Sequence, residues 1–410
     1  MDYIQQSFAD RIGGEGFGFG TELFKFEKIK KAKRLAMKDN PEWELIDLGV
    51  GEPDSMADSK IIEELSRQAY QWENRGYADN GIDEFKNAAT GYMKEVYGVE
   101  HLLSENEILP VMGLKSALSY LPQAFINPGD ITLMTVPGYP IIGTITEWLG
   151  GKVYQLPLKK ENQYYPVFSD IPEDILKRAK LLYINYPNNP TGQSATIEFY
   201  KKVIYFAKAY NLIVIQDAAY AALTYGNQEP FSFLSLPEAK EVGIELHSLS
   251  KAFNMTGWRL GFACGNKRVI SALAAVKDNY DSGQFKAMQY AGIYALKHPE
   301  ITKETCIKYE RRLHKLTDLL KRLGFDVRVP KASFYLYSQI PKETADGYVF
   351  ANAEDFTEYL IKNALISMVP WDDVGHNVRI SVTFVAPDEK EENRVLAEVE
   401  ARISRLKLIF

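Results

Sequence analysis

The stretch HSLSKAFNMTGWR, residues 247–259, sets one amine, Lys251, at the end of an apolar run that reads as a buried strand. Ser248 and Ser250 flank the amine, and Arg259 follows shortly after. A lysine at a strand end can simply reach solvent. A lysine ringed by hydroxyls and a guanidinium also has the groups for a different task, an amine that attacks a carbonyl beside donors that hold a phosphate. Two more apolar runs end in the same way. LLYIN (181–185) runs into YPNNPTG and places Asn189 just past a strand end, and LIVIQ (212–216) runs into DAAY and places Asp217 and Tyr220 at the next. Ligands of open α/β sheets bind beyond the carboxyl ends of the strands. Three strands therefore bring an amine, a carboxylate, and an amide with a phenol to one edge. Singly, these residues read as helix caps or solvated side chains; together, in this order, they read as a site.

The elements that must position them follow from periodicity. From about residue 46 to 290, short apolar runs, including ITLMTV (131–136) and IELHSL (244–249), alternate with helical patterns such as EFYKKVIYFAKAY (198–210). Strand–helix–strand alternation implies a mostly parallel sheet covered on both faces. The remainder is α+β: a helix over 299–323 ending near Gly324, a strand ASFYLYS, a helix AEDFTEYLIKNA, a strand VRISVTF, and a closing helix from Pro387 to Lys407. The expected division is 1–50 as an N-terminal arm and part of the small domain, 51–290 as the large domain, and 291–410 as the small one. In KFEKIKKAKRLAMK (25–38), Phe26, Ile29, Ala32, Leu35 and Ala36 recur at helical spacing, so its lysines are expected on a solvated face. GGEGFGFG (13–20) reads as an arm with apolar anchors that lies over a neighbouring surface, or as a loosely ordered segment.

Composition narrows the function. A chain of 410 residues with 46% apolar and 25% charged side chains has the composition of a soluble two-domain protein. A net charge of −6 argues against a nucleic-acid partner. Two cysteines without metal spacing argue against a disulfide framework or a zinc site. No apolar run is long enough to span a bilayer, and the first residues carry no secretory pattern, so the expected location is the cytoplasm.

A site with an amine, a carboxylate, a phenol and a phosphate cradle suits pyridoxal phosphate: the amine for its aldehyde, the carboxylate for its pyridine nitrogen, and arginine, serines and helix amides for its phosphate. With NYPNNPTG, DAAY, SLSK and GWRLGF in this order and spacing, the chain resembles the class I/II aminotransferases of the fold type I pyridoxal phosphate superfamily from about residue 24 to 405. The resemblance implies that Lys251 is the Schiff-base lysine and proton shuttle, Asp217 the partner of the pyridine nitrogen, and Asn189 and Tyr220 the partners of the phenolic oxygen. It implies a phosphate loop in VMGLKSAL (111–118), with Gly113 and the amides of Leu114 and Lys115, completed by Ser248, Ser250 and Arg259. Tyr139 in PGYP matches the aromatic that stacks on the ring. Arg379 in NVRISV matches the arginine that grips the substrate α-carboxylate, where read alone it would be an edge-strand arginine in solvent. Gly49 in LGVGEP is expected to add a backbone contact to that carboxylate. Tyr77 in ENRGYADNG matches a tyrosine that reaches the phosphate of a neighbouring subunit, which implies a homodimer with composite sites. The Asn189–Pro190 bond is expected to be cis.

Within that family, residues 26–54 together with RGYADNG, VPGYP and VPWDD are most similar to the LL-diaminopimelate aminotransferase group. The implied reaction is a ping-pong transfer between LL-2,6-diaminopimelate and 2-oxoglutarate, in lysine and diaminopimelate biosynthesis. Residues 78–80 and NYDSGQ (279–284) depart from the group's pattern where it helps hold the distal end of the substrate from the neighbouring subunit. Asp281, Ser282, Asn80, Lys115 and the glycine–phenylalanine arm are the candidates for that task. The alternatives are an aminotransferase of aspartate, alanine or aromatic specificity or a related β-lyase. Further removed are a cofactor-sensing regulator, for which the added winged-helix domain is missing, and a non-catalytic scaffold.

Overall fold

The computed structural model describes residues 3–19, 25–226 and 228–410, with the side chains of 25–27 outside that description. The central sheet has seven strands: β1 Ile108–Val111, β2 Ile131–Val136, β3 Lys152–Pro157, β4 Ala179–Asn185, β5 Ile213–Asp217, β6 Gly243–Ser248 and β7 Gly261–Gly265. Their order is β1-β7-β6-β5-β4-β2-β3. Only β7 is antiparallel to its neighbours. β2 is buried at every position, as a continuous apolar run must be when helices cover both faces of a sheet. One covering layer holds the helices Ser59–Ala69, Asp83–Tyr97 and Lys286–Lys297, and the other Leu114–Phe125, Ile141–Trp148 and Lys267–Lys277. Strand registers align the carboxyl ends, with Asn185 opposite Asp217 and Asp217 opposite Leu246.

A second core surrounds three antiparallel strands, β8 Tyr335–Gln339, β9 Val369–Trp371 and β10 Asn377–Ser381, with β10 in the centre. The helices Ile301–Arg322, Ala353–Ala364 and Glu389–Ser404 pack here. Arg312, 1% exposed, binds Glu392 Oε2 at 3.0 Å and Asp54 Oδ2 at 3.1 Å, and donates to three carbonyls besides. This buried network ties residue 54 to the second core. Ile46–Asp47 pairs with Ile366–Ser367 in parallel, so the segment after Asp47 leaves the second core and runs towards the strand ends of the first.

Four local expectations are adjusted. The strand in ASFYLYS starts only at Tyr335, because Ser333 adopts a left-handed φ of 71°. Leu249 opens a helical turn rather than closing β6. The helix Lys25–Asp39 packs Ile29 and Ala36 on Ile361 and Leu365, while Leu35 is exposed. Its basic residues are not all in solvent, since Lys28 pairs with Glu354 at 2.9 Å and Lys33 with Asp47 at 2.5 Å. Residues 3–19 curl on themselves, with Gln5 donating to the carbonyls of Glu15 and Phe17 and Phe8 against Phe17 at 4.7 Å. Gly20, the last residue of the arm, lies outside the described residues.

Candidate active site

A cavity of about 560 Å³ opens where the carboxyl ends of β4, β5 and β6 face the segment 47–52 and β10. Small-molecule sites usually have volumes of about 300–1,000 Å³.

Asp217 ends β5 and is 5% exposed. The Tyr183 hydroxyl donates to its Oδ2 at 3.2 Å and the Ala219 amide to its Oδ1 at 3.1 Å. Burial pushes the Asp217 carboxyl up to about 6, against those two hydrogen bonds and the nearby His247 and Lys251. A cationic ring nitrogen beside it would favour the carboxylate again.

Lys251 sits in the turn Leu249–Ala252, which Ser248 caps by accepting the Ser250 amide at 3.1 Å. Its amine donates to the Gly51 carbonyl at 2.6 Å. Burial brings the amine down to about 8; Glu52 opposes that shift, and Arg379 and Arg259 add to it. Lowering an amine towards neutrality makes it a nucleophile and a base.

At one pole of the cavity, the helix Leu114–Phe125 begins after Gly113 with no side-chain cap, so its first amides remain available as donors. Arg259 stands directly over that terminus: a Cβ on Gly113, whose φ is +76°, would lie 2.3 Å from Arg259 Nη2. Arg259 Nη1 is anchored on the Thr256 carbonyl at 2.9 Å. Ser248, Ser250 and Thr256 line the same pole. Amides at a helix terminus, hydroxyls and a guanidinium over a glycine fit a phosphate dianion.

At the other pole, Arg379 lies mid-way along β10, the central strand, and is 5% exposed. It is not the solvated edge-strand arginine that the sequence alone suggests. Nη1 donates to Asn189 Oδ1 at 3.0 Å and Nη2 to the Gly49 carbonyl at 2.8 Å, and the guanidinium rests over the Tyr335 ring at 4.2 Å. Its Nε is buried without a partner and so retains a donor for an anion. Arg379 occupies the carbonyl end of the Asn189 amide, which leaves the NH₂ end for another acceptor. The Gly49 amide, expected to face a substrate carboxylate, donates to Asp47 Oδ1 at 3.0 Å, and it is the Gly49 carbonyl that meets Arg379. Tyr220 hydrogen-bonds the Tyr335 hydroxyl at 3.1 Å, and Tyr139 lines the wall between Asp217 and Arg259. The Asn189–Pro190 bond is cis, as are Val136–Pro137 and Tyr186–Pro187.

Lys251, Asp217, Tyr220, Asn189, Tyr139, Arg379, Gly49, Leu114, Lys115, Ser248, Ser250 and Arg259 thus share one cavity, with Gly113 beneath its rim. Tyr77 does not join them within one chain and is 83% exposed. Among the described residues, Lys115 is the one distal candidate that lines this chain's own cavity. Asp281 accepts from Lys277 at 2.6 Å, Asn80 donates to Asp278 at 2.8 Å, and the Ser282 carbonyl accepts the Asp79 amide at 3.0 Å, so the two departing segments pack on each other.

Sequence reasoning missed Tyr183, Asn185, Tyr335 and Thr256. Asn185 donates to the Asp217 carbonyl and accepts the Asn189 amide, each at 2.8 Å, and so locks two strand ends together. Tyr183 and Asn185 are two residues apart on β4 and share a face, a period-two signal available in LLYIN. Lys30, Lys33, Asp47 and Glu52 were also missed; all four line the cavity.

The family model Aminotransferase class I and II matches residues 44–399. The LL-diaminopimelate aminotransferase of Methanocaldococcus jannaschii is 56% identical over 416 residues, covering 100% of this chain and 99% of the relative. That of Methanococcus maripaludis is 52% identical over 413 residues, with 100% and 99% covered. Among solved structures, substrate-bound BacF from Bacillus subtilis superposes with a TM-score of 0.87 at 32% identity, covering 98% of each chain. A mutant of Thermus thermophilus aspartate aminotransferase does so with 0.83 at 25% identity, covering 96% of this chain and 99% of that one. The chain belongs to the class I and II aminotransferases, and its fold is that of their fold type I members.

Proposed function

We propose that this class I and II aminotransferase transfers an amino group between LL-2,6-diaminopimelate and 2-oxoglutarate in two half-reactions at the cavity around Lys251, with pyridoxal phosphate as the resident cofactor. The observation that carries the reading is the meeting of Lys251, Asp217 and Arg379 at one cavity, in a chain whose full length matches relatives named for that reaction. Pyridoxal phosphate supplies an aldehyde for an amine and an electron sink for the charge left at Cα.

The chain's own residues do the rest. Arg379 and Asn189 would hold the α-carboxylate and so set which bond at Cα lies perpendicular to the cofactor ring. Lys251, its amine freed from the Gly51 carbonyl, would carry the proton between Cα and the cofactor's aldehyde carbon, C4′. Asp217 keeps a proton on the pyridine nitrogen, with Tyr183 and Asn185 holding its position. Tyr220 and the Asn189 NH₂ would hold the cofactor's phenolic oxygen, and Tyr139 would lie against its ring. Gly113, Leu114, Lys115, Ser248, Ser250 and Arg259 anchor the phosphate.

The working unit is a homodimer in this reading. Tyr70, Trp72, Tyr77, Tyr280 and Phe285 are large apolar side chains exposed on one chain, which supports a partner surface here and Tyr77 as a donor to the partner's phosphate. Cys264 and Cys306 are free thiols, in keeping with a reducing cytoplasm. No helix among the described residues is long and apolar enough to cross a membrane.

Steady-state assays with 2-oxoglutarate test the reading. LL-diaminopimelate should give glutamate with a kcat/KM well above those of aspartate, alanine and phenylalanine. A higher value for any of the three would assign the enzyme to that substrate instead. Ammonia and pyruvate as products would mean a β-lyase.

A further inference from the structure

Resting on that substrate reading, the unexplained charges that line the cavity acquire a task. LL-diaminopimelate carries a second amino-acid group beyond three methylenes, so its far end is both anionic and cationic. 2-Oxoglutarate and glutamate carry only an anion there. Asp281, Ser282 and Asn80, in segments expected to meet the far end from the neighbouring subunit, lie outside this chain's own cavity. Lys33 and Glu52, which the sequence reading passed over, lie inside it.

Lys33 is the better defined. Its amine, on the helix Lys25–Asp39, meets Asp47 Oδ2 at 2.5 Å, and the other oxygen of Asp47 accepts the Gly49 amide at 3.0 Å. The Gly49 carbonyl in turn accepts from Arg379 at 2.8 Å. A continuous chain of polar contacts thus runs from Arg379 to the Lys33 ammonium, and both line the same cavity. Ile29 and Ala36 fix the helix against Ile361 and Leu365, so the ammonium is carried on a packed element. Lys30 lines the cavity one turn before Lys33 and adds positive charge on the same side. Glu52 follows directly on Gly51, whose carbonyl holds Lys251, and lines the same cavity. Among the described residues, no ion pair or hydrogen bond engages its carboxylate.

We infer that Lys33 reads the distal carboxylate of both amino donors and of 2-oxoglutarate, and that Glu52 reads the distal ammonium that only LL-diaminopimelate carries. Lys33 and Glu52 are then specificity-determining residues. One cavity accepts both substrates of the ping-pong pair because the anion reader is shared and the cation reader is simply solvated when the acceptor binds.

The test compares wild type, Lys33→Met, Lys33→Arg and Glu52→Gln as cofactor-loaded enzymes. Two ratios are measured: the dissociation constants of the unreactive acids glutarate and butyrate, and kcat/KM for LL-diaminopimelate against glutamate. Losing one hydrogen-bonded charge typically costs about tenfold or more in binding. Lys33→Met should weaken glutarate relative to butyrate by about that factor, with Lys33→Arg restoring most of it. Glu52→Gln should lower LL-diaminopimelate relative to glutamate by a similar factor. An unchanged glutarate-to-butyrate ratio in Lys33→Met overturns the anion role, even if both acids bind more weakly, because that pattern marks Lys33 as a support for Asp47 alone. An unchanged donor ratio in Glu52→Gln overturns the cation role. If wild type does not react with LL-diaminopimelate, the substrate reading and the Glu52 role fall together, and the glutarate ratio still decides Lys33.

Discussion

Replacing Gly113 by alanine should weaken both cofactor binding and folding, each by a separate mechanism, and the structure gives both magnitudes. The added Cβ would lie 2.3 Å from Arg259 Nη2 and 2.7 Å from its Cζ. Non-bonded heavy atoms settle at about 3.5–4.0 Å, so the guanidinium must retreat by about 1 Å or more. It is the far end of a flexible side chain, so the retreat itself costs little. The cost to folding comes from the backbone: an L-residue held at φ 76° and ψ 159°, a region almost confined to glycine, loses about 1–3 kcal/mol. The cost to binding comes from the displaced guanidinium, since a charged hydrogen bond contributes about 1.5–3 kcal/mol, or about 10–150-fold in Kd. The assay is a titration of the cofactor-free chain with pyridoxal phosphate, alongside its thermal unfolding. Gly113→Ala should unfold a few degrees lower and bind the cofactor at least about tenfold more weakly. Arg259→Ala should weaken binding similarly, and the double variant should add little to either single change because both remove the same contact. Wild-type affinity in Gly113→Ala, or full additivity in the double variant, would refute the phosphate cradle described here.

Lys251→Ala should lower turnover by at least about a thousandfold and abolish the visible absorption of lysine-bound cofactor, while the protein stays folded; retention of either would remove Lys251 from its role. Asp217 makes the cofactor-free chain pH-sensitive. Its folded-state value of about 6 lies above the ordinary 3.8, so between those limits the folded chain holds more protons than the unfolded one, and stability falls as pH rises through the window. Asp217→Asn should remove that decline in cofactor-free unfolding curves and lower kcat strongly; an unchanged pH dependence contradicts the assignment. Lys251 has the opposite slope in a higher window, with stability rising from about pH 8 to 10.5 as the buried amine sheds its proton, and Lys251→Met should flatten it in denaturant melts. Arg312→Met leaves Glu392 and Asp54 buried without their shared cation and should cost about 3–5 kcal/mol in denaturant unfolding; a loss below about 1 kcal/mol would show that Arg311, 2.9 Å from Glu392, and Lys308, 2.8 Å from Asp54, compensate.

What could be read from the sequence, and what could not, follows from how far each signal reaches. β2 matches ITLMTV, and the helix Ala353–Ala364 matches AEDFTEYLIKNA, because continuous apolar runs and capped amphipathic repeats are local. The residues at strand ends, Asp217 and Lys251, were visible for the same reason. Tyr183 and Asn185 were harder to see because a buried polar residue inside an apolar run leaves the run looking apolar. Arg379 carried no local mark of burial; its position depends on β8 and β9 closing around β10, a contact between distant parts of the chain. Lys33 was read as solvated because a helix pattern shows which face is apolar but not what lies beside the polar one. Tyr77 belongs to a different category, since its expected role depends on a second chain.

The most direct test of the account is a single-turnover reaction between the cofactor-loaded enzyme and individual amino acids, followed by loss of the visible cofactor band. LL-diaminopimelate and glutamate should discharge the band rapidly, while meso-diaminopimelate, aspartate, alanine and phenylalanine do so slowly. Rapid reaction with aspartate, alanine or phenylalanine and none with LL-diaminopimelate would contradict the proposed substrate while leaving the fold and Lys251 in place.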